Sequence, residues 1–300
     1  MPTTILVYGR SGVGKSYQIA NLAEDHFIKT SKITRVYSAD FGGSDVMAPH
    51  EELGILEIIP IGSTNPWIFA NRASRGYVRD KNGKWVEDKA LNSKVGIYAF
   101  ESAHGLAQLL KVNMNEEAAK GSTIGGDTNS SFQVSGDGDS FKVGSVKGYQ
   151  QYAIPQQEIL RAMYQSFKLP ADYIIWSAGV DAGSDELGTS KVVGPAVIGG
   201  ALTAVLPKDF HYTFHMDVLP GEAGKAARHI LYLGAHQDKN SGSATALGNI
   251  RRPRDAGELK DFTLEPSDLV KALQIVREQA KETAKQAIQK RLEAAKKLQK

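Results

Sequence analysis

The residues best suited to chemistry lie in a glycine-rich stretch near the start of the chain. Residues 9–16 read GRSGVGKS, which fits G-x-x-x-x-G-K-[ST], the pattern of a Walker A phosphate-binding loop. A short apolar, β-prone run precedes the loop, and apolar residues at helical spacing follow it, at Ile19, Leu22 and Ala23. The motif therefore stands between a predicted strand and a predicted helix, where phosphate binding requires it.

Each residue type in this loop has a physical role in holding a phosphate. The glycines allow backbone conformations that a Cβ would penalise, so that successive N–H groups can face an anion. The following helix, beginning near Lys15, adds the positive end of its dipole. We expect Lys15 to reach the β- and γ-phosphates of ATP and the Ser16 hydroxyl to bind Mg²⁺. The predicted nucleotide-binding residues are Gly9, Arg10, Ser11, Gly12, Val13, Gly14, Lys15, Ser16 and Tyr17.

Three further polar residues stand at the ends of predicted strands. Asp40 precedes Gly42-Gly43 and either polarises an attacking water or supports Mg²⁺, or only caps the turn. Glu101 ends an apolar run in the Walker B arrangement and is a predicted Mg²⁺-side acid; otherwise it is an ordinary strand-end carboxylate. Ser177 is either a sensor of the γ-phosphate or merely a strand end. The predicted catalytic residues are Lys15, Asp40, Glu101 and Ser177.

The alternation of apolar runs and helical patterns predicts an α/β fold around a mainly parallel sheet. Predicted strands cover 3–8, 32–39, 55–60, 95–100 and 172–177. Predicted helices cover 106–112, 155–168 with Pro155 in the first turn, and 194–206, where Gly194-Pro195 opens an apolar segment. Residues 210–218 and 228–233 are expected to pair as an antiparallel hairpin at one edge. Trp67, Ile68 and Phe69 are expected to start a helix that packs on the core.

Two segments between these elements have a different character. Residues 75–88 predict an inserted hairpin with Asn82-Gly83 as its turn. Its basic residues beside Tyr77 and Trp85 either contact single-stranded nucleic acid or flank aromatics that pack inward. Residues 121–148 hold seven glycines and six serines, which predicts a flexible loop with no calcium site.

The C-terminal third offers basic residues and a long helix. His211 and His215 share one strand face, where a solvated surface is favoured over a metal site. Lys239, Arg251 and Arg252 are each an arginine- or lysine-finger candidate, a phosphate-backbone contact or a solvated residue. From Ser267, the expected N-cap, a helix with a thin, alanine-rich stripe runs to the end of the chain, and it is expected to pack on the body or on a neighbouring subunit.

Composition limits the class of protein and its location. Cysteine is absent, which rules out disulfides and thiolate metal sites and suits a reducing cytoplasm. We expect no signal peptide, because residues 1–4 lead directly into the first strand, and no membrane span, because no apolar run is long enough. The net charge of +3 permits nucleic-acid binding without requiring it.

The order of these motifs resembles the RecA-like branch of P-loop ATPases, and in particular the phage-type AAA-family proteins that include RecA-like single-strand annealing recombination proteins. The residues that carry the resemblance are GRSGVGKS at 9–16, VYSADFGG at 36–43, IYAFES at 97–102, YIIWSAG at 173–179 and VVGPAVIGGAL at 192–202. It covers about residues 3–254. Glu101 departs from the usual aspartate, and Asp40 stands where relatives favour glutamate.

The resemblance implies a RecA-like core over residues 1–260, followed by a basic C-terminal helix over 261–300. It implies ATP with Mg²⁺ at the carboxyl edge of the sheet, with Asp40 in the place of the catalytic acid. It also implies assembly into a homo-oligomer on single-stranded DNA, with ATP at the subunit interface, in phage recombination or replication, hence in the host cytoplasm. A P-loop kinase of a small molecule and a nucleotide-dependent assembly or packaging ATPase remain alternatives.

Overall fold

The fold is built on a sheet whose strands are buried on both faces. The computed structural model describes residues 1–39, 44–61, 66–80, 82, 84–87, 89–121, 150–184, 191–197, 202–203, 205–221, 226–234, 244–245 and 263–298. The strands are β1 Thr3–Gly9, β2 Ile33–Ser38, β3 Leu56–Pro60, β4 Val78–Arg79, β5 Trp85–Val86, β6 Val95–Glu101, β7 Tyr173–Ser184, β8 Lys191–Ala196, β9 Tyr212–Leu219, β10 Arg228–Tyr232, β11 Ala244–Thr245 and β12 Thr263–Leu264.

Helices cover both faces of this sheet. They are α1 Lys15–Thr30, α2 Ser44–Glu52, α3 Pro66–Ala73, α4 Lys89–Asn92, α5 Ala103–Gly121, α6 Gln150–Ser166 and α7 Leu269–Leu298, and a short 3-10 helix spans Leu206–Asp209. The α5 and α6 helices are longer than the periodicity predicts, and Pro155 lies inside α6 instead of in its first turn. The predicted N-cap of α7 is off by one residue, because Asp268 accepts the hydrogen bond from the N–H of Lys271 at 2.9 Å.

The strand order places β1 at the centre of the sheet. The order is β12-β10-β9-β1-β7-β6-β2-β3, and the run from β9 to β3 is parallel. The β9 and β10 strands form the predicted antiparallel hairpin at one edge. The predicted α/β class is therefore confirmed, with its mainly parallel sheet, edge hairpin and long C-terminal helix. Carboxyl ends of β1, β7, β6 and β2 all meet at one edge, which is where parallel α/β sheets bind ligands.

Two apolar clusters, one on each face, hold the sheet and its helices together. In β1, Ile5 and Val7 point into the cluster beneath α1 and α7, whereas Leu6 and Tyr8 point into the cluster beneath α3, α5 and α6. This alternation is the period of a strand, and burial on both sides explains why β1 reads as one continuous apolar run. The division into residues 1–260 and 261–300 stays a prediction.

The predicted helix over 194–206 is wrong for the residues of this range that the structure describes. Residues 191–196 form β8, which pairs antiparallel with the second half of β7, so that Pro195 lies opposite Val180. Gly194-Pro195 resembles a helix start, but Val192 and Val193 favour an extended backbone, and a long β7 provides the partner strand. Proline is tolerated there because, among the described residues, β11 pairs with Val192 and Val193 and none pairs with Pro195 on that side of β8.

The inserted hairpin forms where it was expected, and its aromatic side chains face the body. The β4 and β5 strands pair antiparallel. Trp85 packs edge-on against Phe69 of α3, with ring centroids 5.5 Å apart, and the Arg72 guanidinium lies over the Tyr77 ring. Within the described part of this hairpin, inward packing of the aromatics is therefore the alternative that the structure favours.

Candidate nucleotide site

The glycine-rich loop follows the central strand and leads directly into α1. Gly12 and Gly14 have φ angles of 78° and 94°, in the left-handed region that disfavours residues with a Cβ. Gly9 is required for a different reason, since a Cβ there would lie 2.4 Å from the carbonyl oxygen of Met216 on β9. The sequence therefore fixes the path of the loop at three of its eight positions.

Lys15 lies along the loop that precedes it. Its Nζ donates hydrogen bonds to the carbonyl oxygens of Gly9 at 2.9 Å and Arg10 at 2.8 Å. The ammonium group is thereby held over the segment whose backbone would surround a phosphate. Val13 anchors the loop from below and is buried, whereas Arg10, Ser11 and Tyr17 are exposed around its rim.

Glu101 lies beside the loop and is held by two serine hydroxyls. Ser16 donates a hydrogen bond to its Oε1, and Ser38 at the end of β2 donates to its Oε2 at 2.8 Å. Glu101 is only 3% exposed, and Ser38 lies opposite it in the β2–β6 register. A buried carboxylate requires such partners. The structure thus brings together the predicted loop serine and the predicted strand-end acid, although 85 residues separate them.

Ser177 lies within β7 and not at its end, because the strand continues to Ser184. Its hydroxyl oxygen accepts a hydrogen bond from the N–H of Ser102 at 2.9 Å, next to Glu101. The sensor role of Ser177 stays a prediction; what the geometry shows is that its hydroxyl holds the backbone that carries the acid.

Ser102 is a site residue that sequence reasoning missed. It has a φ of 65°, and its Oγ accepts a hydrogen bond from the N–H of Gly105 at 3.0 Å, which caps α5. A Cβ on Gly105 would lie 2.7 Å from that hydroxyl. A serine three residues before a glycine at a strand-to-helix junction is the only signal in the sequence, and it is a weak one.

His229 is a second contact that the sequence did not indicate. Its Nδ1 lies 3.1 Å from the carbonyl oxygen of Val13 in the glycine-rich loop. Because a carbonyl can only accept, Nδ1 carries the proton in this contact. The β10 strand therefore supports the loop from the side. The sequence predicts the pairing of β9 with β10, but not the pairing of β9 with β1 that brings this hairpin beside the loop.

The expectation that His211 and His215 lie on a solvated face is wrong for His215. It is 2% exposed and stacks on Tyr8 and Tyr232, at centroid distances of 4.8 and 5.6 Å. The Nδ1 of His211 accepts a hydrogen bond from the N–H of Thr4 at 3.0 Å. β9 is an interior strand, so its side chains are covered on both faces. No cluster of three metal-ligating His, Cys, Asp or Glu side chains occurs among the described residues.

Several predicted site residues lie outside the part of the chain that the structure describes. They are Asp40, Lys239, Arg251 and Arg252, and the Gly/Ser loop predicted over 121–148 falls almost entirely in the same category. The roles assigned to them stay predictions.

The oxygen atoms gathered at this edge suit a magnesium ion. Mg²⁺ prefers hard oxygen ligands and commonly takes only one or two from the protein, with phosphates and waters completing its shell. The Ser16 hydroxyl and the Glu101 carboxylate are oxygen donors in direct contact, adjacent to the loop that carries Lys15. The donor set therefore fits a magnesium–phosphate group.

The fold and the site together define an α/β protein with a glycine-rich loop at the carboxyl edge of a mainly parallel sheet. Neither a protein-family model nor a curated protein sequence matches the chain. Two solved structures are similar over most of its length. The flagellar accessory protein FlaH from Methanocaldococcus jannaschii is 10% identical over 76% of either chain, with a TM-score of 0.37. A KaiC-like protein from Pyrococcus horikoshii is 10% identical over 81% of this chain and 88% of its own, with a TM-score of 0.40.

At 10% identity and TM-scores of 0.37 and 0.40, these similarities give no information about an activity or a partner of this chain. Among the described residues, no helix has the length and apolar character needed to cross a membrane.

Proposed function

We propose that this protein binds ATP with Mg²⁺ and hydrolyses it, and that its nucleotide state controls binding to single-stranded DNA in phage recombination or replication. The observation that carries the nucleotide part is the hydrogen bond from Ser16 to Glu101, beside the loop lysine. A serine hydroxyl and a buried carboxylate are in contact at the end of the glycine-rich loop. A bound Mg²⁺–phosphate group would explain why both are placed there, because each is an oxygen ligand for the metal.

In this proposal the residues of the site have separate roles. The backbone N–H groups of the loop and Lys15 bind the β- and γ-phosphates, and Ser16 and Glu101 hold Mg²⁺. When bound, Mg²⁺ supplies positive charge that neutralises the phosphate oxygens. Ser38 fixes the second oxygen of Glu101, and Ser177 fixes the backbone beside it. The resemblance assigns the activation of the attacking water to Asp40, which follows β2.

The DNA part of the proposal rests on the resemblance and on charge. The chain has a net charge of +3, and Lys239, Arg251 and Arg252 are basic residues suited to a phosphate backbone or to a neighbour's nucleotide. In the RecA-like arrangement the protein forms a homo-oligomer with ATP between subunits, in the host cytoplasm. The carboxyl edge that carries Lys15 is the surface at which such a neighbour would complete the site.

ATP hydrolysis measured with and without single-stranded DNA, at low and at moderate salt, tests the proposal. We expect Mg²⁺-dependent release of phosphate that rises when DNA is added, and an effect of DNA that weakens with salt as counterions compete. Transfer of phosphate to a small molecule instead of to water would identify a kinase. Hydrolysis without any DNA binding at low salt would remove the DNA part and leave the nucleotide part standing.

A further inference from the structure

The distal half of α7 extends past the body of the protein, on the side away from the nucleotide site. The helix starts near the carboxyl edge, where Leu269 contacts Gln18 of α1. It reaches the opposite edge at Arg277, whose guanidinium donates to the hydroxyl of Tyr173 at 2.7 Å and to that of Thr3 at 3.4 Å. Thr3 and Tyr173 are the first residues of β1 and β7. At 1.5 Å per residue, the remainder of α7 spans roughly 30 Å.

This extending segment has one apolar stripe and an asymmetric distribution of charge. Ile288 and Leu292, one turn apart, are 57% and 58% exposed. By helical spacing, Lys281 lies in line with that stripe, and Lys285 and Arg291 flank it on its two sides. Beyond Lys281 the acidic residues are Glu282 and Glu293, which lie farther round the helix, about 100° or more from the stripe. The exposed apolar stripe is therefore bordered by positive charge.

A surface of opposite character lies on the body, at the ends of α1 and α2. Ile28 and Leu53 are each 74% exposed. Ile28 lies one turn beyond Glu24 in α1, and Leu53 directly follows α2, three residues beyond His50; the Glu24 and His50 side chains are 3.3 Å apart. Glu51 and Glu52 are exposed beside them, and Lys29 is already paired with Asp25 of its own helix at 2.7 Å. Ile28 and Leu53, with Glu24, Glu51 and Glu52, form what we call the α1–α2 patch.

We infer that the distal part of α7 docks on the α1–α2 patch of a second copy of this chain. Ile288 and Leu292 would cover Ile28 and Leu53, and the flanking basic residues would face Glu24, Glu51 and Glu52. The contact forms between copies, because a continuous helix carries Ile288 roughly 16 Å beyond Arg277 and away from its own patch. Helix and patch are different surfaces, so the contact is heterologous and each copy can offer both.

This contact goes beyond the proposed nucleotide chemistry and does not depend on it, since it lies at the opposite edge of the sheet. The absence of cysteine allows a direct test. One full-length preparation carries Ile288→Cys and a second, differing in mass by a tag, carries Ile28→Cys. The two are mixed without nucleotide and oxidised. A matched pair replaces Ile288→Cys with Lys290→Cys, on the opposite side of the helix.

We expect mixed disulfides to form at least about fivefold more with Ile288→Cys than with Lys290→Cys, as for a contact anchored by a few apolar side chains. Leu53→Cys in place of Ile28→Cys should give the same preference. Equal yields from the two pairs would overturn the inference. The inference would also be overturned if Ile288→Cys formed more disulfide-linked dimer with itself than with Ile28→Cys. That result would show that α7 pairs with α7 of the second copy.

The mass in solution supplies a second, independent measurement. Wild-type protein should associate as its concentration rises, Leu292→Asp should shift it toward the monomer, and Gln286→Asp, with the same change of charge on the far side of the helix, should not. A wild type that stays monomeric up to about 0.1 mM would overturn the inference. Loss of binding to anionic vesicles or to a single-stranded oligonucleotide in Leu292→Asp, without any change of mass, would overturn it as well.

Discussion

The side chain of Gln18 holds the first turn of the C-terminal helix through the N–H of Leu269, which donates to its Oε1 at 2.7 Å. The Nε2 of the same side chain donates to the carbonyl oxygen of Ser267 at 2.8 Å. Gln18 is 1% exposed and stands two residues after Ser16 in α1. The helix that carries the loop serine is thus directly bonded to the start of α7.

Replacing Gln18 tests how much that bond stabilises the fold. Gln18→Ala leaves the buried N–H of Leu269 and the partly buried carbonyl of Ser267 without this partner, so we expect the free energy of unfolding in urea to fall by about 1–3 kcal/mol. Gln18→Glu keeps an acceptor for Leu269 but sets an oxygen against the carbonyl of Ser267 and buries a charge, so it should lose at least as much. Equal stability of Gln18→Ala and wild type would show that the bond contributes nothing.

Lys15→Ala tests the phosphate contact. Hydrogen bonds to charged groups contribute most to binding, so we expect the affinity for ATP to fall about 10- to 100-fold, measured by calorimetry. Lys29→Ala is the matched control, because it removes a lysine of the same helix whose partner is the exposed Asp25. Unchanged affinity in Lys15→Ala would exclude the glycine-rich loop as the nucleotide site.

Glu101→Gln separates the metal role of the acid from its role in the fold. Glutamine has nearly the same shape and can still bond to Ser16 and Ser38, so the melting temperature should change little. Loss of the negative charge should lower Mg²⁺-dependent hydrolysis by about 100-fold. Ser38→Ala, which removes the bond to Oε2, should have a smaller effect. Full activity in Glu101→Gln would contradict the assignment.

Two loop glycines should respond differently to alanine. Gly9→Ala puts a methyl group against the carbonyl of Met216 and the side chain of Val13, and we expect a cost of about 1–3 kcal/mol from overpacking. The methyl group of Gly12→Ala meets no atom of the described residues within 4 Å, so we expect the cost of its left-handed φ, roughly 1–2 kcal/mol. Thermal melting of the two variants compares these costs. ATP affinity should drop more in Gly9→Ala, since relief of the overlap moves the loop.

His26 should make stability depend on pH. Burial lowers the pKa of this imidazole, and the nearby Asp172 carboxylate offsets that only in part. The unfolded chain therefore binds a proton more readily, so the contribution of His26 is present above its ordinary pKa and is lost as pH falls through the folded value. Between about pH 7 and pH 5, the melting temperature of the wild type should fall more than that of His26→Gln. Parallel pH curves for the two proteins would count against this.

Local patterns were enough to predict the elements that carry the site. The glycine-rich motif with a strand before it and a helix after it located Lys15 and Ser16, and an apolar run located Glu101 at the end of its strand. These signals depend on residues within about ten positions of one another. The helix predicted over 194–206 failed because its residues suit both states, and β7, which precedes it, supplied a partner strand that the local pattern does not contain.

What the sequence determined by itself is the glycine-rich loop between its strand and helix, most of the order of strands and helices, and the acid at the end of β6. Only the tertiary structure decided that Ser16 and Ser38 share the two oxygens of Glu101, that His229 supports the loop and that Gln18 bonds to α7. The physical reason is that hydrogen bonds between distant segments depend on strand order and register. These are set by burial of the whole sheet between its two apolar clusters, and no short stretch of residues specifies them.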